Sequence, residues 1–241
     1  MNKYFKIIVI ASLPGIFLYT CKKDSPAEPA VDSGYNYLPA EIGSYVIYQV
    51  DSIHYDDANQ NQHDTTRYLL KEKIADVYTD NSGKPALRIE RLYKYYDPAL
   101  PYDSISWSAP RIWHANKSAT DFQKVEEDVR YLRLVFPAKE GKKWNGNLYN
   151  TLGEKEYEIV SADINESVNS ISFDSVLTVK QFDQIDFIEY RYEQEKYART
   201  VGLIFKQRDS LYFHQHDMND TYPYDDTIGF TYRQKIISYG K

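Results

Sequence analysis

The sequence predicts an all-β protein, either a single antiparallel sandwich or a curved, half-open barrel, with little helix. Apolar residues alternate with polar ones in several stretches, which is typical of strands with one buried face. Clusters of Gly, Pro, Asn and Asp separate these stretches and predict turns. Tyrosine, which favours strands, supplies 24 of the 241 residues. No stretch sustains a helical period.

The alternating stretches predict strands in order along the chain. In SYVIYQVDSIHY, Val46, Tyr48 and Val50 share one face. Further alternations cover residues 132–136, 171–179, 188–192, 201–205 and 230–236, and turns are predicted at 80–83, 97–101, 137–141, 145–147 and 219–226. Thr120–Asp128 and Gln184–Lys196 are weak helix candidates, and the second alternates better as a strand. Strand spacing of about 10 to 20 residues without intervening helices favours an antiparallel sheet.

The first twenty residues predict a secretory signal. Lys3 and Lys6 provide a basic start, and an apolar run follows from Ile7 to Leu18. This run is shorter than the roughly 20 residues that a membrane-spanning helix needs, and it fits the apolar region of a signal peptide. The chain then continues as Leu18-Tyr19-Thr20-Cys21, and Cys21 is its single cysteine.

The quartet LYTC resembles a bacterial lipobox, in looser form than the one with small residues before the cysteine. The resemblance implies cleavage before Cys21 and fatty acylation of that residue. The predicted organisation is therefore a lipoprotein signal peptide at 1–20, a lipidated Cys21 with a flexible tether at 21–36, and one β-rich domain at 37–241. Residues 25–34 (SPAEPAVDSG) have the composition of an extended linker.

The residues after Cys21 bear on where the lipoprotein is delivered. In the signal that retains lipoproteins at the inner membrane, an aspartate directly follows the cysteine. This chain has Lys22 at that position. The outer membrane is therefore favoured. The charged cluster KKD resembles a surface-export signal of the Bacteroidota, and both the periplasmic face and the cell surface stay open.

Composition excludes several classes of function. Without Lys3 and Lys6 the chain keeps 27 basic and 35 acidic residues, a net charge of −8. An acidic domain argues against nucleic acid as a partner, because the phosphate backbone selects basic surfaces. If Cys21 carries lipid, the domain has no thiol for a disulfide, a nucleophile or a metal site.

Three segments carry a second resemblance. LPAEIGSYVIYQVDSI, FPAKEGKKWNGN and KYARTVGLIFKQ are similar to stretches in poorly characterised Bacteroidota outer-membrane lipoproteins. Some proteins of this kind look like the half-closed β-barrels of lipoprotein carriers, which implies a curved sheet able to hold an apolar ligand. The resemblance supplies no catalytic residues.

The candidate metal ligands lie near the C-terminal end. His214 and His216 would share one face of a strand and could chelate an ion together with Asp217, Asp220 or Asp226. The acid-rich segments 51–64 and 216–226 resemble calcium-binding loops but lack the EF-hand spacing. Solvated turns explain the same residues, so no metal site and no cofactor is assigned.

Catalytic motifs are not evident in the sequence. It has no G-x-S-x-G elbow, and sequence cannot select one carboxylate pair among 35 acidic residues. The aromatic residues, including Trp107, Trp113 and Trp144, have two explanations: half-buried strand packing or a platform for sugars or peptides.

The sequence therefore predicts a lipid-anchored envelope lipoprotein that acts as a non-catalytic binding or accessory module. Its partner would be an unknown glycan, peptide or envelope protein, besides the membrane that holds its lipid. The alternative is a carrier of a hydrophobic ligand with an open barrel groove, and an envelope hydrolase is a third hypothesis. A continuous apolar lining inside the sheet would favour the carrier.

Overall fold

The computed structural model describes residues 32–55, 63–213 and 227–241. In these residues the chain forms twelve β-strands and two 3-10 turns, at Tyr35–Tyr37 and Tyr102–Ser104, and no α-helix. The strands are β1 (Tyr45–Tyr55), β2 (His63–Thr79), β3 (Pro85–Tyr95), β4 (Arg111–Lys117), β5 (Asp121–Glu126), β6 (Val129–Val135), β7 (Lys143–Asn145), β8 (Glu156–Val168), β9 (Ile171–Ile185), β10 (Glu189–Ala198), β11 (Gly202–Phe213) and β12 (Thr227–Gly240). The all-β prediction is confirmed. The two weak helix candidates lie on β5 and around β10.

All twelve strands belong to one antiparallel sheet. Its order is β6-β5-β4-β3-β2-β1-β12-β11-β10-β9-β8-β7. Neighbours in the sheet are neighbours in sequence except at the centre, where β1 pairs with β12 from Tyr45↔Gly240 to Tyr55↔Gly229. The first and last strands thus join two meanders, and β6 and β7 form the two edges.

The sheet curves until its two edges meet. Twelve flat strands would hold the edges about 50 Å apart. Instead, the backbone N–H of Leu132 on β6 donates to the carbonyl oxygen of Gly146, next to β7, at 2.9 Å. The indole Nε1 of Trp144 on β7 donates to the Leu132 carbonyl at 2.9 Å. The architecture is therefore a nearly closed, barrel-like sheet, the second of the two predicted forms.

Local irregularities support this curvature. Register shifts interrupt the ladders of β1 with β12, β2 with β3, β5 with β6, β8 with β9, and β10 with both its neighbours. Such bulges bend a strand and increase its twist. At the closure, an added Cβ on Gly146 would stand 2.3 Å from the Tyr157 ring, so only glycine fits there.

The segment before β1 packs onto the sheet. The side chain of Tyr37 is fully buried, and its hydroxyl donates to Asp163 at 2.7 Å. Lys117 Nζ on β4 donates to the carbonyl oxygens of Tyr35 at 2.8 Å and Leu38 at 2.7 Å. These contacts fix residues 35–38 against the inner side of the sheet.

Two clusters of buried apolar residues form the core. One groups Tyr37 and Leu38 with residues of β3–β6 and β8–β10, among them Leu134, Ile159 and Leu177. The other groups residues of β1–β3 and β8–β12 with the turn before β11. Since both clusters combine strands far apart in the sheet order, they form only because the sheet curls.

In the described ranges no helix is long and apolar enough to cross a membrane. The predicted signal peptide and Cys21 lie outside these ranges and stay predictions.

Candidate ligand-binding cavity

The curved sheet encloses a cavity of about 1020 Å³. Its wall is made by β1–β6 on one side and β10–β12 on the other, and residues 35–41 complete it. The cavity wall includes the exposed Lys241–Glu41 ion pair, so the cavity reaches solvent at this point. The volume is in the range of small-molecule sites in proteins.

The wall combines charge with aromatic surface. Eight basic residues line it: Lys73, Arg91, Lys117, Lys124, Arg133, Lys206, Arg208 and Lys241. Five acidic residues face the same space: Glu41, Glu72, Glu126, Glu127 and Glu195. Nine tyrosines, Trp113 and Phe122 supply most of the remaining large side chains. The lining is thus apolar over the larger part of its accessible surface, and its charged groups are mainly basic in a chain whose net charge is −6.

One group of buried charges surrounds Trp113. Arg91 Nε donates to Glu72 at 2.9 Å, and Lys124 Nζ contacts the other oxygen of the same carboxylate at 3.1 Å. The guanidinium carbon of Arg91 lies 3.4 Å from the centre of the Trp113 ring, and Lys124 Nζ lies 4.8 Å from it. Two cations therefore share one carboxylate and one indole ring.

A second group joins β5 and β6 to β10 and β11 across the cavity. Arg133 makes a two-pronged contact with Glu126, at 2.8 and 3.1 Å, and reaches Glu195 at 3.6 Å. Lys206 Nζ contacts Glu195 at 3.0 Å and Glu126 at 3.6 Å. The Tyr197 hydroxyl donates to Glu195 at 2.6 Å. Every carboxylate in this group has more than one donor, as a buried charge requires.

These partners keep the buried acids ionised. Burial alone would raise the pKa of Glu195, but Arg133 and Lys206 outweigh it and lower the pKa to about 2. The pKa of Glu126 lies well below its ordinary value, because the same two cations outweigh its burial. The pKa of Arg133 is raised despite burial, since both glutamates face it. At neutral pH both glutamates of the second group are therefore ionised.

Gln234 on β12 is a cavity-lining residue with an unused donor. It is 2% exposed, its Oε1 accepts a hydrogen bond from the Tyr232 hydroxyl at 2.8 Å, and its Nε2 has no partner. Gln234 pairs across the ladder with Lys206. An unpaired buried amide is unfavourable, and an unpaired donor at a cavity indicates that a ligand or water completes it.

The candidate metal ligands predicted at His214, His216, Asp217, Asp220 and Asp226 lie outside the described residues, as does the acid-rich segment 216–226. Segment 51–64 is described at its ends only, and there Arg67 and Gln49 bind the Asp51 carboxylate. Among the residues that the structure describes, no three His, Cys, Asp or Glu side chains form a group that could hold a metal ion.

The three tryptophans separate in the structure. Trp113 lines the cavity and is 9% exposed, and Trp144 contributes to the closure of the sheet. Trp107 lies outside the strands, with Lys94 Nζ 6.0 Å from its ring centre. Trp113 is thus the tryptophan that faces the cavity, and Trp144 is the one that packs where the sheet closes.

Sequence reasoning missed the buried charges. In the sequence, such a residue is a charged one that occupies the same alternating positions as the buried residues of its strand. Glu72 follows Tyr68 and Leu70 at two-residue steps, and Lys124 stands two residues after Phe122. Such residues are indistinguishable in sequence from charges on a solvated face until the curvature is known.

Comparison with known proteins yields structural likeness alone. No family model matches the chain, and no curated protein matches its sequence. The fold is similar to a candidate exported protein with a YmcC-like fold from Bacteroides fragilis, at 11% identity and a TM-score of 0.41. It is also similar to a candidate lipoprotein from Parabacteroides distasonis, at 11% identity and a TM-score of 0.35. Each comparison covers 85% of this chain and 98% of the other. This level of likeness establishes neither a family nor a function.

Proposed function

We propose that the chain is a lipid-anchored protein of the outer membrane that binds a small polar ligand inside its curved sheet, without catalysing a reaction. The observation that carries the proposal is the cavity of about 1020 Å³ with a charged and aromatic wall. A space of this size, open to solvent and lined by ordered polar groups, has the form of a binding site.

The wall is built before any ligand enters. Arg91, Arg133 and Glu195 are each less than a tenth exposed and are fixed by partners on neighbouring or opposite strands. Side chains ordered in advance lose little conformational entropy when a ligand binds. The groups that would contact a ligand are therefore preorganised on strands rather than on loops.

The charged groups of the wall favour a ligand with a polar group over the wholly hydrophobic ligand of the carrier hypothesis. Arg91 and Lys124 face the cavity beside Trp113, and Lys206 faces it on β11. An acyl chain in this space would displace water from ionised groups without replacing its hydrogen bonds, which is unfavourable. Apolar contact is available beside these charges, on the aromatic rings and on aliphatic residues such as Ile74, Ile89 and Leu203.

The electrostatics of the acids support binding rather than acid–base catalysis. A general acid or base works best with a pKa near the operating pH. The pKa values of Glu126 and Glu195 are instead lowered far from neutrality by Arg133 and Lys206, against the effect of burial. Both carboxylates act as fixed charges that orient their cationic partners.

The anchor rests on the lipobox-like LYTC and on the linker composition of residues 25–34. Two or more acyl chains hold a protein firmly at a membrane, with about 0.8 kcal/mol for each buried methylene. Lys22 in place of a retention aspartate supports the outer membrane.

A pair of dyes tests ligand binding. 8-Anilinonaphthalene-1-sulfonate and its uncharged analogue N-phenyl-1-naphthylamine both fluoresce when they leave water. We expect the sulfonate dye to bind saturably with one site per chain, whereas saturable binding of the uncharged dye alone would favour the hydrophobic carrier. Val46→Trp should abolish this binding, because Val46 faces the cavity on β1 beside Glu72.

Ile47→Trp is the matched control, since Ile47 adjoins Val46 on the same strand and does not line the cavity. It should leave dye binding unchanged. Saturable binding of neither dye, or equal loss in both variants, contradicts the proposed function.

A further inference from the structure

We infer that the ligand is a small organic anion with one net negative charge, whose charged group binds in the cavity near Gln234 and the Arg91–Glu72–Lys124 group. Its ring-bearing or apolar body would lie among the tyrosines. This inference rests on the proposed function and specifies the chemistry of its ligand.

The first support is an uncompensated charge. Seven ion-paired residues of the wall have side chains no more than 13% exposed: four bases (Arg91, Lys124, Arg133 and Lys206) and three acids (Glu72, Glu126 and Glu195). The group around Arg133 is balanced, with two of each sign. The excess cation belongs to the other group, where Arg91 and Lys124 share Glu72. Buried charge favours a counter-ion, and a ligand anion would supply it.

The second support is the free donor of Gln234. Its Nε2 has no partner, although the side chain is almost fully buried at the cavity wall. Nε2 itself has almost no accessible surface, so an anion or carbonyl oxygen accepts from it only if the amide turns towards the cavity, whereas a cationic ligand would leave it unpaired in either position. The Tyr232 hydroxyl, which donates to Gln234 Oε1, holds the amide in the orientation that leaves Nε2 free.

Tyr232 also links the two supports. The guanidinium carbon of Arg91 lies 5.4 Å from the centre of the Tyr93 ring. The Tyr93 and Tyr68 ring centres are 5.8 Å apart, and a hydrogen bond joins Tyr68 to Tyr232. The free amide donor and the excess cation therefore belong to one electrostatic environment. A small anionic group near Tyr232 would interact with both the Gln234 amide and the excess cation.

The third support is the sign of the whole wall. Its eight basic and five acidic residues give the cavity a positive balance, in a chain whose net charge is −6. A concave site with one sign of charge concentrates the field and attracts ligands of the opposite sign. The cavity thus discriminates against cations that the outer surface of this acidic protein would attract.

The two dyes differ by a single sulfonate, so their affinities measure the contribution of one negative charge. We expect the full domain to bind 8-anilinonaphthalene-1-sulfonate at least about tenfold more tightly than N-phenyl-1-naphthylamine, since hydrogen bonds to charged groups contribute this much or more. The preference should decline as salt is added.

Two substitutions remove the excess charge in different ways. Lys124→Met deletes one cation and leaves the Arg91–Glu72 contact at 2.9 Å in place. Gln234→Glu keeps an acceptor for Tyr232 and adds a carboxylate beside Lys206, so that the chain supplies its own anion. Each should weaken binding of the sulfonate dye about tenfold and leave the uncharged dye almost unaffected.

Gln181→Glu is the matched control for Gln234→Glu. Gln181 on β9 is 1% exposed and its Nε2 also lacks a partner, but it does not line the cavity. The control should leave both dye affinities unchanged. Thermal unfolding of each variant shows that the fold persists, and binding of the uncharged dye shows that the cavity persists.

The outcomes separate the two proposals. Equal or tighter binding of the uncharged dye, with no effect of Lys124→Met or Gln234→Glu, overturns the anion inference and leaves ligand binding standing. Binding of neither dye overturns both. A sulfonate preference that Gln181→Glu abolishes as fully as Gln234→Glu places the anion elsewhere and overturns the assigned site.

Discussion

Arg91 stacks on Trp113, with its guanidinium carbon 3.4 Å from the centre of the indole ring, while its Nε donates to Glu72 at 2.9 Å. Arg91 and Trp113 lie on adjacent strands, β3 and β4, and both face the cavity. The planar guanidinium can satisfy a carboxylate in its plane and a ring against its face at the same time. This geometry allows a charged group to form part of a stable interior.

Replacement of Arg91 by Met should destabilise the fold by about 3 kcal/mol, because it removes the charged hydrogen bond to buried Glu72 and the stacking on Trp113. Arg91→Lys should not restore the loss, since an ammonium group cannot stack flat on the indole. The midpoint of urea unfolding measures both effects.

Arg88→Met on the same strand is the control. Arg88 contacts Glu90 at 3.4 Å, and its side chain is 44% exposed. Exposed pairs contribute less than about 1 kcal/mol, so the control should unfold almost like the wild type. Equal losses at the two positions would contradict a structural role for the buried charges.

Gly146→Ala should loosen the junction of the two sheet edges. The new Cβ would overlap the Tyr157 ring at 2.3 Å, and the Gly146 carbonyl accepts the Leu132 N–H that joins β6 to β7. We expect a loss of about 2 kcal/mol or more from overpacking, together with faster hydrogen exchange at the Leu132 amide.

Gly153→Ala tests the same substitution where no atom lies within 4 Å of the added Cβ. It should change stability by less than about 0.5 kcal/mol. If Leu132 exchanges equally slowly in both variants, the edge-to-edge contact does not hold the sheet closed.

Cys21→Ala should release the protein from membranes into the soluble fraction, because the substitution removes the predicted acylation site. Fractionation of cells, with immunodetection of the chain, measures this. Lys22→Asp is the companion variant: it keeps the lipid and should move the protein from outer to inner membrane. Membrane retention of Cys21→Ala in full would contradict the lipid anchor.

The sequence was sufficient for the strand content but not for the closed shape. Alternation at Val46, Tyr48 and Val50 placed β1 correctly, with its inward face buried. β1 pairs with β12, which is far away in sequence, and no local sequence pattern predicts this pairing. The meeting of Leu132 with Gly146 depends on curvature accumulated over all twelve strands.

The candidate site was harder to predict for a specific reason. On β10, Tyr190 and Tyr192 alternate with charged residues. This pattern predicts that the tyrosines are buried and that the charges are solvated. In the structure Glu195 is 2% exposed and faces the cavity. A polar interior reverses the usual relation between charge and burial, and only the partners Arg133 and Lys206, from other strands, make that interior stable.

The buried acids also predict how stability depends on pH. The pKa of Glu195 falls from its ordinary value near 4.5 to about 2 on folding, because Arg133 and Lys206 outweigh burial. The folded state therefore holds its proton less tightly than the unfolded state. The stabilisation is complete above about pH 5.5 and is lost as pH falls towards about 2.

Urea unfolding at a series of pH values measures this loss. Glu195→Gln keeps an oxygen to accept the Tyr197 hydroxyl bond and removes the titrating group. It should be less stable than the wild type at neutral pH, and its stability should fall less steeply between pH values of about 5.5 and 2. Glu156→Gln, at a side chain that is 63% exposed, should keep the wild-type slope. Parallel curves for the wild type and Glu195→Gln would mean that Glu195 titrates alike in both states, and the ion network would then contribute no net stability at this position.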